Sequence, residues 1–397
     1  MTPLQAVNKI RDDNHGQVVL VLQGGGALGA YQGGVYQALH EAGVEPDWII
    51  GTSIGAINAS IISGNKVEDR LSRLQEFWRR IERARLWGGV PSVADALSAW
   101  ATLTSGIPSF FEINPRAFLG VQVLLGADHA GYYSTEPLRK TLEKLVDFSL
   151  INEGHPRLTL GAAHVRTSTM HYFDSKEMEL GPSHIMASGA LPPAFPAVRI
   201  DGELYWDGGV LSNTPTERIF DDQPRRNSLI FAVHLWHPTG SEPETIWQIL
   251  NRHKDIQYSS RIASHIVRQQ QTHKLRHVIT QLLEYVPDEV KSDPLVKELA
   301  GYSCKTRMHV VRLLAPRLDN ESHAKDIDFS RAGIGARWEA GYADTMRALE
   351  QHPWLGEFGL LDGVVLHEPR PGAEPEAEQK PGEPKAGGGS QSQLAAE

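Results

Sequence analysis

The stretch VVLVLQGGGALGAYQGGVYQALHEAGVEPDWIIGTSIGAINAS, Val18 to Ser60, decides the fold. Val18–Leu22 is a continuous apolar, β-branched run ending in glycines, the pattern of a parallel strand buried on both faces. Ala30–Ala42 sets Tyr31, Val35, Ala38, Leu39 and Ala42 on one side of a helix, and Gly43 suits its C-terminal cap. Asp47–Ile50 reads as a second short strand, and Gly55–Ser63 as a helix of small residues. Strand, turn, helix, strand, turn, helix is a βαβ unit. The expected class is α/β, with a mostly parallel central sheet flanked by helices.

The stretch holds two glycine-rich turns. The first is Gly24, Gly25, Gly26, Ala27, Leu28 and Gly29, which satisfies G-x-G-x-x-G after a strand and before a helix. That is the dinucleotide fingerprint. The fingerprint also wants an acidic residue at the end of the second strand, and here that strand runs into Gly51-Thr52-Ser53. A nucleotide is therefore disfavoured, and no Lys-Ser/Thr follows the glycines to make a Walker A loop. The second turn is Gly51, Thr52, Ser53, Ile54 and Gly55, a G-x-S-x-G between strand and helix. In such an elbow the serine stands on a sharp turn and the helix behind it points its positive end at the reaction centre. Acyl transfer needs backbone N–H groups converging on a carbonyl oxygen as it becomes negative. Glycines after the neighbouring strand supply them, because no side chain blocks approach. The first turn then serves the second as an oxyanion hole.

The serine needs a base. Among seventeen histidines, His164, His171 and His234 lie nearest to strand ends, yet none has a matched acid beside it. Asp207, Gly208 and Gly209 put a carboxylate at a strand end before two glycines. A carboxylate is a weak base unless it bonds the serine directly in a dry pocket that raises its pKa.

Arg70–Arg85 is an amphipathic helix, and residues 87–135 suggest helices and loops over the core, including aromatic residues for an acyl-pocket wall. Leu158–Val165, Met170–Phe173 and Ser228–Leu235 read as strands, and VRIDGELYWDGG as a hairpin turning at Asp201-Gly202. After about residue 240 the pattern is helical. Ile262, Ile266, Val278, Leu282 and Val286 recur at helical spacing with basic flanks, and residues near 332–350 carry Trp338, Tyr342 and Met346 inward. The segment 252–286 suits a helix packed on the core, a lid, or a helix lying on an anionic membrane. From Glu368 the sequence loses apolar periodicity and reads as a disordered tail. The expected organisation is 1–16 as a lead-in, 17–235 as the catalytic domain, 236–367 as a mainly helical extension and 368–397 as the tail.

Over residues 17–235 the chain resembles the patatin-like phospholipases. GGGALG, GTSIG and DGG stand in the family's order, and Ala187–Pro215 (ASGALPPAFPAVRIDGELYWDGGVLSNTP) looks like its segment around the catalytic aspartate. The resemblance implies a patatin-like fold and hydrolysis of lipid acyl esters by a Ser–Asp dyad. It implies Ser53 as nucleophile, Asp207 as general base and Gly24–Gly26 as oxyanion donors. The family's loop usually reads G-G-G-x-Arg/Lys-G, and Leu28 replaces that cation here. Backbone donors survive the change, whereas any headgroup contact by the cation is lost.

Composition bounds the rest. The chain has 397 residues and a formal net charge of −9, which does not suit nucleic acid. Its single cysteine, Cys304, excludes an intrachain disulfide. No run approaches the ~18 apolar residues of a spanning helix, and the N-terminal MTPLQAVNKIRDDNHGQ lacks the apolar core of a secretory signal. A cytoplasmic protein is expected, with peripheral membrane contact left open. No metal and no cofactor are expected, and oligomeric state is not readable. The expected substrate is a lipid or another acyl ester. The alternatives are a carboxylesterase on soluble esters or short hydroxyacid oligomers, and an inactive lipid-binding or scaffold protein.

Overall fold

The structure, a computed structural model, describes residues 1–13, 15–83, 106–259, 262–318 and 325–369. The first strand, β1 (Gln17–Leu22), lies between β2 (Trp48–Thr52) and β9 (Ser228–His234), parallel to both. All six of its residues are buried, which is why its sequence is apolar without alternation. Beyond β2 comes β5 (Arg157–His164), also parallel. β5 carries two antiparallel partners, β6 (Thr169–Asp174) along one edge and β8 (Glu203–Asp207) at its end. β7 (Val198–Ile200) pairs with β8 in the expected hairpin, with Asp201 and Gly202 both at positive φ, 49° and 84°. A separate short pair joins β3 (Glu112–Ile113) to β4 (Tyr133–Ser134).

On the other side of β9 the sheet continues into β10 (Met308–Leu314) and β11 (Val364–His367), both parallel. The sequence reading of 236–367 as mainly helical holds for four helices and missed these two strands. Hydrogen bonds of the sheet therefore cross the boundary expected at 235/236. The lead-in holds a helix, Pro3–Asp12, which is capped by Thr2, and its Ala6 and Val7 are buried. The tail from 370 onward, and 84–105 of the inserted region, lie outside the described residues.

Helices cover both faces. On one face the helices Ala30–Glu41, Ile54–Ser63, Val67–Ile81 and Arg331–Gln351 pack over the side chains of Val18, Leu20 and Leu22. One glycine in each of the helices Ala30–Glu41 and Arg331–Gln351 has a packing reason. A Cβ on Gly34 would lie 1.8 Å from the Trp338 carbonyl oxygen, and one on Gly341 would lie 2.0 Å from that of Tyr31. The two helices touch backbone to backbone, and Trp338 and Tyr342 donate hydrogen bonds to Gln37 and Glu41. The opposite face is smaller, with Ile219, Phe220 and Ile266 against Val19, Val21 and Ile230.

The segment 252–286, read as one helix, is divided between the helices Ile246–Ser259 and Ile262–Glu284; the second packs on that second face through Ile266, and the first carries Tyr258. The inward stripe of Ile262–Glu284 differs from the expected one. Ile266 is buried, but the buried positions that follow are His273, His277 and Thr280, while Leu282 is exposed. Polar side chains suit that face because carbonyls end there. His277 bonds the carbonyls of Leu360 and Thr306, and Thr280 donates to that of Cys304.

Candidate active site

Three parallel strands end together at one edge of the sheet. Leu22 of β1 is in register with Gly51 of β2 and Val233 of β9. β5 adds the decisive juxtaposition. Its Gly161 pairs with Thr52, and the next residue, Ala162, pairs with Asp207 of β8. One strand edge thus passes directly from Thr52 to Asp207, and Ser53 emerges beside the aspartate.

Ser53 has φ 57° and ψ −124°, a conformation that side-chain-bearing residues rarely adopt. Such strain costs about 1–3 kcal/mol and persists only when neighbours enforce it. Here they do. The Ser53 N–H donates to Ser188 Oγ at 3.1 Å and to the Ser188 carbonyl at 3.2 Å, and Ser188 Oγ donates to the Gly161 carbonyl at 2.6 Å. The flanking glycines are required by contact. A Cβ on Gly55 would lie 2.2 Å from the Leu22 carbonyl oxygen, and one on Gly208 would lie 2.5 Å from that of Gly161.

The Asp207 carboxylate is 2% exposed. It accepts a hydrogen bond from the Gly209 N–H at 2.7 Å, and the Ser53 hydroxyl beside it also favours its ionised form. Burial pushes its pKa up to about 6, and these two groups pull only part of the way back.

The first glycine turn is fixed from several sides. Gly24 donates its N–H to Asn213 Oδ1 at 3.1 Å, while its carbonyl accepts from Asn213 Nδ2 and Trp236 Nε1. The expected trio of donors therefore narrows, because Gly24 is already engaged. Gly25 and Gly26 have no acceptor for their N–H groups among the described residues. Gly26 has φ 56°, and a Cβ there would lie 2.2 Å from the Asp326 carbonyl oxygen. Ala27, Leu28 and Gly29 complete a buried single turn. Leu28 is 3% exposed and faces a small cleft with Tyr31, Leu235 and Arg337. Its side chain is not in the wall of the cavity around Ser53, so a cation is not missing from that wall.

That cavity brings together Ser53, Asp207, Gly24, Gly25, Gly26 and Asn213 at one end. Mostly apolar residues surround the rest, with Phe110, Phe111 and Tyr133 from the expected aromatic region and Leu138 and Phe195 beside them; Thr135 and Asp326 are the polar exceptions. Sequence reasoning missed the contribution of the C-terminal part, where Trp236, Tyr258, Ile327 and Phe329 close the wall. It also missed Asn213 and Ser188 as the groups that hold the two turns, although both lie in the Ala187–Pro215 block.

No histidine lines this cavity among the described residues. His164 bonds Thr167 and Glu203, and His171 packs on Phe173 and Tyr205. His234 is buried within β9, and burial lowers its pKa to about 3, so it stays neutral. Among the described residues no group of three or more His, Cys, Asp or Glu side chains could hold a metal ion.

Similarity to known proteins bears on the family of the chain. The profile of the patatin-like phospholipases matches residues 20–220, half of the chain. The chain belongs to the patatin-like phospholipase family. A second profile, described as patatin phospholipase, matches residues 256–359, so the family likeness reaches into the C-terminal part. No curated protein sequence matches the chain significantly. Among solved structures, VipD from Legionella pneumophila is 16% identical and has a TM-score of 0.36, with 85% of this chain and 67% of VipD covered. ExoU, in its complex with SpcU from Pseudomonas aeruginosa, is 14% identical with a TM-score of 0.33. That likeness covers 86% of this chain and 52% of the other, so this patatin-family chain spans about half its length. At such scores neither structure carries an argument about activity. Among the described residues, no helix of this family member is long and apolar enough to cross a membrane.

Proposed function

We propose that the chain is a serine lipid acyl hydrolase with Ser53 as nucleophile and Asp207 as its general base. The observation that carries this is the buried Asp207 carboxylate, which shares the end of a largely apolar cavity with Ser53. Ser53 Oγ attacks the ester carbonyl carbon while Asp207 takes its proton. The carbonyl oxygen becomes negative between the free N–H groups of Gly25 and Gly26, and the N-terminus of the helix Ile54–Ser63 adds a favourable dipole. The tetrahedral intermediate collapses, the alcohol leaves with the proton from Asp207, and the acyl group stays on Ser53. Asp207 then deprotonates a water, which attacks the acyl-serine; as the intermediate collapses Asp207 returns that proton to Ser53 Oγ, and the fatty acid is freed. A carboxylate with a pKa of about 6 is still ionised at neutral pH and is a stronger base than an ordinary one. The apolar wall suits an acyl chain, so a phospholipid or lysophospholipid is the substrate class we favour over a small soluble ester.

The test is covalent labelling by a fluorophosphonate probe with peptide mapping. Label on Ser53, absent in Ser53→Ala and sharply reduced in Asp207→Asn, is the expected result. Folded protein that takes no label would sink the proposal.

A further inference from the structure

Between β3 and β4 the chain leaves the body of the protein and returns. The neck is tied by Asn114, whose Nδ2 donates to the carbonyls of His129 at 3.0 Å and Gly131 at 2.8 Å. From Ala117 to Ala127 the sequence AFLGVQVLLGA holds no charged residue. Its apolar side chains point outward, with Phe118 68%, Leu119 71%, Val121 88% and Leu124 99% exposed. Soluble proteins rarely present such a continuous apolar segment unless something covers it.

The position of this loop suggests what covers it. The neck residues adjoin the catalytic cavity, since Phe111 precedes β3 and Tyr133 lies in β4, and both line it. A polar groove runs from the neck to the cavity and shares Tyr133, Thr135 and Met186 with it. Arg116, Arg139 and Arg199 stand on this groove. Arg139 and Arg199 face Glu136 and Asp128, while Arg116 has no ion-pair partner among the described residues. An apolar tip beside an arginine with no ion-pair partner among the described residues is an arrangement that seats a protein in a membrane interface. The cavity adds a second argument. At about 170 Å3 it is smaller than the roughly 300–1,000 Å3 that encloses a drug-sized ligand. A long-chain lipid reacting at Ser53 must leave much of itself outside.

We propose that residues 117–127 form a membrane-docking loop, which inserts Phe118, Leu119, Val121 and Leu124 into the interface of an anionic phospholipid bilayer. Arg116 meets the lipid phosphates, and the cavity opens at the level from which a lipid is drawn. The choice of a bilayer as occupant rests on the lipid-hydrolase reading. The docking itself does not require catalysis, and the two can fail separately.

The experiment uses the full chain carrying Ser53→Ala, so that no lipid is consumed. Sedimentation with large unilamellar vesicles of phosphatidylcholine and phosphatidylglycerol measures binding. Partitioning should fall at least about tenfold when Phe118→Ser and Leu124→Ser are added, with an unchanged circular dichroism spectrum. Arg116→Glu should weaken binding to phosphatidylglycerol vesicles and leave binding to pure phosphatidylcholine vesicles unaltered. In the active chain, Phe118→Ser with Leu124→Ser should slow hydrolysis of vesicle lipid and leave hydrolysis of a monomeric short-chain ester unchanged. Vesicle binding that ignores the apolar substitutions, or no vesicle binding at all, overturns the proposal. So does a wild-type dimer in sedimentation velocity that Phe118→Ser turns into monomers, because the loop would then be covered by a second copy. If Ser53→Ala binds vesicles through the loop but the active chain cleaves no ester, docking stands and the hydrolase reading fails.

Discussion

Strand β5 has a buried carboxylate on each edge, and the two could hardly be more different. Asp174 of β6 sits opposite Thr159, and Asp207 of β8 sits opposite Ala162. Both are buried. Burial alone raises each, but Asp174 accepts three hydrogen bonds from Arg157, one from the Lys176 N–H and one from the Thr159 hydroxyl, and ends below the usual carboxylate range. Asp207 has only a hydroxyl and one N–H beside it and ends near 6. The same side chain is held ionised as a structural anchor or poised for the proposed role of a base according to whether a cation reaches it.

Several experiments bear on that contrast. Ser53→Ala or Asp207→Asn should each lower the catalytic rate by about four orders of magnitude, as loss of a nucleophile or its base does elsewhere. Asp174→Asn should leave the specific activity of folded protein near normal but lower stability by about 3 kcal/mol in urea denaturation, because Arg157 and Arg218 lose a buried partner. If instead Asp174→Asn removed activity and kept stability, the two roles would be reversed.

The pH dependence separates the pair further. As the proposed base Asp207 acts in its ionised form, so activity should fall as pH drops through about 6. For stability the signs are opposite. The raised pKa of Asp207 favours its protonated form in the fold, a contribution fully present below the ordinary carboxylate pKa and lost as pH rises through about 6. The lowered pKa of Asp174 favours its ionised form, a contribution present above the ordinary value and lost as pH falls through the lowered one. Near pH 5 the protein should therefore be folded by circular dichroism and largely inactive. Coincident loss of fold and activity would break the contrast. At pH 8 Asp207→Asn removes a buried charge, and should raise stability by up to about 3 kcal/mol, two pKa units at ~1.4 kcal/mol each. The smallest effect is expected at His164, His171 and His234, where change to Gln should leave most activity in an ester assay.

Much of this was legible in the sequence where burial or contact leaves no choice of residue. β1 is buried on both faces, so its apolar run declared itself. The elbow around Ser53 and the turn at Gly208 press against neighbouring backbone, so only glycine fits and glycine marks them. Asn213 and Ser188 were not legible as supports, because a single polar side chain in a loop has no period. The wall formed by Tyr258, Ile327 and Phe329 depends on packing across long sequence separations. β10 and β11 were hidden among helical segments. A hint existed in SLIFAVH of β9, whose uninterrupted apolar character fits a strand with neighbours on both sides rather than one at an edge.

The parallel pairing of β10 against β9 has a practical consequence. A fragment cut after β9, where the motifs end, would keep Ser53 and Asp207 in its sequence. It would also display a seven-residue apolar strand with an open row of N–H and C=O groups. Such an edge recruits the same edge from another copy. Shortened versions of this chain should precipitate on expression before they lose any catalytic residue, so a truncation series would report solubility first and chemistry second.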